Sequence, residues 1–333
     1  MIHFVRSGPS FVARHLDPLI RYFVDQAIPF EVHDQPPADE QLAEADAYVT
    51  CDPEAIRRMK AAKTPCYAAL VPHSWTGLKG PDYRRCGADL YLLPGRHQLA
   101  PHGLELDNHR YVLAGCPTWD RVVQYRESAN DLRPHLLEKL GLEPETRMTV
   151  FHPTAPNDRL VSNLHRTKRL FQRVGDALPD WHFVLSLHPR MREIAELNAT
   201  LDELGELAAA QERFHLAEEE LALTLAVCAD LYVTDISGLA LVPVAMKRPL
   251  LFLRIRMVGR KNSAHLRKFQ AGPLLRDVKD LASFVADYET PEAMDKVLAS
   301  CIEHDDQTNC LNTARQLFSC YDGWLQRLGG QSP

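Results

Sequence analysis

Ala229-Asp-Leu-Tyr-Val-Thr-Asp-Ile-Ser-Gly-Leu-Ala-Leu-Val-Pro-Val-Ala-Met-Lys-Arg-Pro-Leu-Leu-Phe-Leu253 is the stretch from which the architecture can be read. Leu231–Val233 is a short apolar run, a polar turn follows, Gly238–Met246 has helical apolar spacing, and Leu250–Leu253 is a second apolar run. Neither strand alternates polar and apolar residues, as expected of parallel strands covered on both faces. Thr234, Asp235, Ser237 and Gly238 lie where the first strand ends and the helix opens. Backbone N–H groups at such a place favour an anion, and the hydroxyls of Thr234 and Ser237 add donors. The same residues also fit an ordinary helix N-cap.

Working outward, the same strand–helix alternation runs through the chain. Toward the N-terminus of this stretch, Met148–His152, His182–Leu187 and Phe214–Leu216 read as strands, with helices over Val161–Leu178, Met191–Leu207 and Glu218–Cys228. Beyond it, Asp280–Tyr288, Glu292–His304 and Asn309–Leu328 read as helical. An earlier series holds strands at Ile2–Val5, Phe30–His33, Ala47–Thr50, Cys66–Val71, Asp89–Leu93 and Tyr111–Ala114. Helices there are expected over Phe11–Gln26 and Pro134–Leu142. A charged joint, Glu143–Thr146, separates the two series, and the lobes are expected to meet over residues 130–147 and to close on a ligand. The expected class is therefore α/β, with two Rossmann-like lobes whose parallel sheets face a cleft. The expected divisions are 1–130, 147–305 and a C-terminal helical segment, 306–333.

Composition agrees with a globular chain of this size. The 333 residues are 45% hydrophobic and 25% charged, which excludes a wholly disordered or fibrous protein. The net charge of −6 gives no overall reason to expect nucleic-acid binding. No apolar run approaches the ~20 residues needed to span a bilayer, and Met1–Ser7 lacks a signal-peptide layout. The eight cysteines contain no C-x-x-C pair, so they read as core thiols of a reducing compartment rather than zinc ligands.

The dinucleotide fingerprint, Walker A and the zinc-protease, nucleophile-elbow and Asp-x-Asp motifs are all absent. A pyrophosphate would have to be held by amides, hydroxyls and cations rather than through Mg²⁺. Four other loops follow strands. Leu187-His188-Pro-Arg190 delivers a histidine and a guanidinium suited to phosphate. Val71-Pro-His73-Ser-Trp-Thr-Gly-Leu-Lys79 offers His73 as a general base with Lys79 as a charge partner. Gly115-Cys-Pro117-Thr-Trp-Asp120 and His152-Pro-Thr154 complete the set.

In their order, these five loops resemble those of the CDP-glycerol glycerophosphotransferase family, the teichoic-acid primases and polymerases. That family shows a His-Gly-Thr-x-x-Lys loop, Gly-x-Pro-x-x-Asp, a Pro-Thr element, Leu-x-x-His-Pro and Thr-Asp-Tyr-Ser-Ser. The likeness runs over about Pro72–Leu253, with Asp306–Arg315 similar to the family's closing helix. Here His73 is followed by Ser-Trp-Thr-Gly, Ile236 replaces an aromatic and Gly238 replaces the second serine.

The resemblance implies a GT-B-like fold and a transferase that needs no metal and no cofactor. It would move a polyol phosphate from a CDP-activated donor to a hydroxyl of a cell-surface glycan or polymer precursor, as in cell-wall or capsule biogenesis. His73 and His188 would be catalytic. Thr154, Arg190, Thr234, Asp235, Ser237 and Gly238 would bind the donor. Lys79, Asp120, Arg256, Arg260 and Lys261 would bind the acceptor, an anionic polymer or a lipid-linked precursor. Two other readings stand beside it: a GT-B glycosyltransferase or UDP-GlcNAc 2-epimerase-like enzyme using a UDP-sugar, and a nucleotide-binding module that has lost catalysis.

From Ile236 to Arg276 there is no Asp or Glu, while nine Lys and Arg accumulate, among them Arg254, Arg256, Arg260, Lys261, Arg267 and Lys268. This local reversal of charge predicts a positive rim for a polyanion or the anionic membrane surface. A nucleic acid is not the expected partner, since few aromatics interleave. The expected location is the cytoplasm, with peripheral contact to the inner face of the cell membrane.

Overall fold

A computed structural model describes residues 1–38, 42, 46–62, 66–73, 75, 85–99, 105–107, 109–156, 160–254, 256–257 and 270–329. By internal contacts the chain divides into two compact units, Met1–Gln124 with Ala299–Pro333, and Tyr125–Leu298.

The first unit is built on six parallel strands: β1 (Ile2–Val5), β2 (Phe30–His33), β3 (Ala47–Thr50), β4 (Tyr67–Leu70), β5 (Leu90–Leu93) and β6 (Tyr111–Leu113). Their order across the sheet is β2-β1-β3-β4-β5-β6. All residues of β1, β3, β4 and β5 are buried, whereas the edge strands β2 and β6 are partly exposed. Both faces are covered, and successive side chains serve opposite layers. Tyr67 and Ala69 of β4 join Phe4, Leu19, Phe23, Leu90 and Leu317 on one face. Ala68 and Leu70 join Val5, Ile56, Met59 and Leu93 on the other. The last helix, Asn309–Gly329, is therefore part of the first unit's core, and its Phe318 stacks on Phe23 at 5.8 Å.

The second unit holds five parallel strands, β7 (Met148–His152), β9 (His182–Ser186), β10 (Phe214–Ala217), β11 (Leu231–Thr234) and β12 (Leu250–Phe252). Their order is β10-β9-β7-β11-β12. A separate antiparallel pair joins β8 (Leu160–Val161) to β13 (Arg256–Met257). Phe151, Phe183, Leu185, Val233 and Leu251 pack under Leu170, Val174 and Leu204 of the covering helices.

Helix boundaries depart from the periodicity where turn chemistry intervenes. The segment expected as one helix over Phe11–Gln26 is broken by a 3-10 turn at Arg14–Leu16, and Pro18 starts a new helix, Asp17–Asp25. The helix expected from Val161 begins at Thr167, because Val161 belongs to β8 and Ser162 Oγ accepts the Leu164 N–H in a local turn. The helix expected over Met191–Leu207 is two 3-10 turns followed by Asn198–Ala210. Two helices not anticipated are Pro53–Ala61, capped by Asp52, and Pro117–Glu127.

Candidate functional site

The strand order of the second sheet fixes where a ligand site can form. From β7 the chain moves outward through β9 to β10, then returns to the other side of β7 as β11 and β12. The carboxyl ends of β7 and β11 therefore flank the topological switch point, where the diverging connections leave a crevice in open α/β sheets. The loop after β7 carries Thr154, and the loop after β11 carries Asp235, Ser237 and Gly238. The loop after β9, the strand beside β7, carries His188 and Arg190. The structure thus brings Thr154, His188, Arg190, Thr234, Asp235, Ser237 and Gly238 to adjacent strand ends of one sheet.

Asp235 organises this end of the sheet. It is 2% exposed. Its Oδ1 accepts the backbone N–H of Thr154 at 3.0 Å, the Thr154 hydroxyl, and the Ile236 N–H at 2.7 Å. Its Oδ2 accepts Asn163 Nδ2 at 3.1 Å. A buried carboxylate requires such compensation, and here it locks the β7 loop to the β11 loop. The Thr234 hydroxyl likewise turns inward, donating to the His152 carbonyl at 2.7 Å. Asp235 and Thr234 are frame rather than contact surface.

Ser237, Arg190 and His188 present more to solvent. Ser237 caps a 3-10 turn, Gly238–Ala240, by accepting the Leu239 N–H at 3.2 Å, so its own O–H proton remains to donate. The single helix expected over Gly238–Met246 is in fact this turn followed by a short helix, Leu241–Ala245. Its dipole is correspondingly small, and charge for an anion must come from side chains. Arg190 is exposed. The Nδ1 of His188 accepts the Arg190 N–H at 3.2 Å, which makes Nε2 the protonated nitrogen of the neutral ring.

Four residues to which the sequence reading gave no role in the site support the arrangement. His152, the last residue of β7, is buried with Nδ1 3.1 Å from Ser186 Oγ, and its ring lies 6.4 Å from that of His188. Burial pushes the His152 imidazole down to about 4, so it is neutral near pH 7. Asn163 holds Asp235, and Gln270 Nε2 donates to the carbonyls of Asp235 at 2.8 Å and Leu253 at 2.7 Å. Only His152 and Ser186 carried a signal, since each is a polar residue ending an apolar strand.

In the first unit, His73 follows β4 and its ring lies 5.9 Å from His15, edge to face. Trp75 Nε1 donates to Thr118 Oγ1 at 2.9 Å, which ties Trp75 to the first turn of helix Pro117–Glu127. Asp120 has a different employment from the acceptor contact expected of it. It is buried, and its carboxylate accepts the Asn309 N–H at 2.9 Å, Asn309 Nδ2 at 2.8 Å and the Cys310 N–H at 2.8 Å. Asp120 thus caps the last helix. Gly115 belongs to the same device. Its φ is +84°, and a Cβ there would lie 2.6 Å from Asn309 Oδ1, which instead accepts the Cys116 N–H at 2.8 Å.

Arg256 lies in the β8/β13 ladder opposite Val161. Lys79, Arg260, Lys261, Arg267 and Lys268 lie outside the described residues. No helix among the described residues is long and apolar enough to cross a membrane.

No protein-family model and no curated protein matches the chain. Solved structures do. The wall teichoic acid polymerase TagF is 13% identical, with a TM-score of 0.57 over 98% of this chain and 90% of that one. A TagF variant with CDPG gives 14%, 0.62, 98% and 90%. The UDP-GlcNAc 2-epimerase of Neisseria meningitidis, bound to UDP-GlcNAc, gives 12%, 0.63, 96% and 100%. With two parallel sheets of six and five strands, the chain has the GT-B-like α/β fold of these enzymes.

Proposed function

We propose that this chain is a GT-B-type transferase that binds a nucleotide-activated donor on the β7, β9 and β11 loops of its second unit. The observation that carries this reading is the gathering of Thr154, His188, Arg190 and Ser237 at the switch point of one sheet, on a frame locked by buried Asp235. Arg190, the His188 Nε2–H and the Ser237 hydroxyl supply donors for a pyrophosphate, and Thr154 sets the loop that faces them. In the finer form of the proposal the donor is a CDP-activated polyol phosphate. The order of the five loops supports that form, as does the likeness to TagF, which has been solved with CDPG.

In this scheme His73 takes the proton from an acceptor hydroxyl as its oxygen attacks the donor's β-phosphorus. The bond from that phosphorus to the bridging oxygen breaks, and CMP leaves with the negative charge. Arg190 and the His188 Nε2–H stabilise that charge, since phosphoryl transfer depends chiefly on positioning and electrostatics. Lys79, Arg256, Arg260 and Lys261 are proposed to hold an anionic acceptor polymer or lipid-linked precursor at the membrane surface.

A second reading, an enzyme acting on a UDP-sugar, is favoured by the likeness to the UDP-GlcNAc-bound epimerase. Thermal-shift titration with CDP-glycerol, CDP-ribitol, UDP-GlcNAc and CMP separates the two, because only a true ligand raises the melting temperature as its concentration passes Kd. Stabilisation by CDP-polyols with turnover lost in both His73→Ala and His188→Ala supports the finer proposal. Stabilisation by UDP-GlcNAc alone moves the assignment to the second reading. Binding without turnover of any donor indicates a nucleotide-binding module.

A further inference from the structure

The first sheet carries a cluster that the transferase reading does not use. His3 on β1 and Glu31 on the edge strand β2 are register partners, and His33 lies two residues beyond Glu31 on the same face. His3 Nδ1 is 3.0 Å from His33 Nε2 and 3.4 Å from Glu31 Oε2, and the last two atoms are 3.7 Å apart. Among the described residues, this is the group of three whose ligand atoms converge closely enough to hold an ion. A tetrahedral zinc with bonds of about 2.0–2.1 Å has ligand–ligand edges of about 3.3 Å. The three observed edges bracket that value.

The tautomer of His3 is fixed from behind. His3 Nε2 lies 2.9 Å from Asp46 Oδ2. The other carboxylate oxygen of Asp46, Oδ1, accepts the Met1 amino group at 2.8 Å, which holds the carboxylate in place behind the ring. A carboxylate oxygen 2.9 Å from Nε2 accepts a hydrogen bond from that nitrogen, which leaves Nδ1 as a lone pair directed at His33 and Glu31. A carboxylate behind a ligating histidine is the usual support of a metal-bound imidazole. Stacking of His3 on Tyr48 at 4.7 Å holds the ring in place.

We propose that His3, Glu31 and His33 form a binding site for a divalent transition-metal ion of the zinc class, closed on its inner side by Asp46 and completed from solvent. Two imidazoles and one carboxylate suit such an ion, whereas an all-oxygen set would suit calcium or magnesium. The ion replaces the proton shared between His3 Nδ1 and His33 Nε2, so binding needs only that His33 carry its proton on Nδ1. The metal would clip the exposed edge strand β2 onto β1. No metal was expected from the sequence, because the ligands come from two strands and do not form a compact motif.

The test uses the full chain without a histidine tag, titrated with Zn²⁺ and Co²⁺ by calorimetry and visible absorption. One equivalent should bind, raise the melting temperature, and give Co²⁺ bands of the intensity typical of four-coordinate sites. His33→Gln and Glu31→Gln alter exposed or half-exposed positions and should fold normally, yet each should weaken binding at least about tenfold. Asp46→Asn should weaken it about 10–100-fold while the stoichiometry stays at one. His215→Gln breaks a separate two-histidine contact, His182 Nδ1 to His215 Nε2 at 2.8 Å, and should leave binding unchanged. Sub-stoichiometric binding, unchanged affinity in His33→Gln and Glu31→Gln, or loss of the site in His215→Gln would overturn the proposal.

Discussion

Two loops that look alike in the sequence do different work. The segment after β11, Thr234-Asp-Ile-Ser237, and the segment after β6, Gly115-Cys-Pro-Thr-Trp-Asp120, each follow a strand and carry polar residues at the start of a helical turn. In the first, buried Asp235 binds the neighbouring loop of the same sheet, while Ser237 stays partly accessible. In the second, Asp120 is wholly engaged by the start of a helix that lies 189 residues further along the chain. A polar motif at a strand exit is therefore ambiguous until the partners of its buried carboxylate are known. Where they are neighbouring loops at a switch point, as around Asp235, the motif frames the site we propose for the donor. Where they are the amides of a distant helix, it is a structural clasp.

That contrast can be broken by substitution. Asp120→Ala leaves the buried N–H groups of Asn309 and Cys310 without their acceptor, and should cost about 3 kcal/mol or more in urea unfolding. Donor affinity measured below the unfolding transition should not change. A normal unfolding midpoint would remove the clasp from the argument.

The pH dependence of stability should come in part from His152. Its folded value is about 4, against about 6.5 for an ordinary imidazole. The unfolded chain thus binds a proton that the folded chain refuses. The stabilising contribution is complete above about pH 6.5 and is lost as the pH falls toward 4, on the order of 3 kcal/mol in all. His152→Asn should flatten this part of the curve relative to the parent, as read from unfolding midpoints between pH 7 and 4. Parallel curves would contradict the neutral, buried histidine.

Gly115→Ala sharpens the clasp side of the contrast. The new Cβ meets Asn309 at a backbone conformation that L-residues avoid, and should destabilise by about 2 kcal/mol. Ser237→Ala sharpens the other side. It removes a cap and should cost only about 1 kcal/mol, while weakening the nucleotide donor about tenfold.

How much of this was legible in the sequence follows from how local each signal is. Met148–His152 is readable to the residue, because a strand covered on both faces is a mostly apolar run, here bounded by Arg147 before it and Pro153 after it. The same logic located His188, Asp235 and Ser237 at strand exits. Helix Pro117–Glu127 was passed over because it begins directly after a Gly-Cys-Pro turn and its apolar face is weakly periodic. The capping role of Asp120, the support given by Asn163 and Gln270, and the His3–Glu31–His33 cluster all depend on residues brought together only by the sheet order. No single-sequence spacing encodes them.

The smallest change in stability accompanies the most direct test. Arg190 is exposed at the end of β9, and Arg190→Ala should shift folding stability by no more than about 0.5 kcal/mol. Calorimetric titration of the parent and Arg190→Ala chains with CDP-glycerol and UDP-GlcNAc asks whether the β7, β9 and β11 loops hold a donor pyrophosphate. One donor should bind the parent at one site per chain, and Arg190→Ala should weaken it at least about tenfold with an unchanged melting temperature. Equal affinity in the two chains, or no binding of either donor to the parent, would contradict the site.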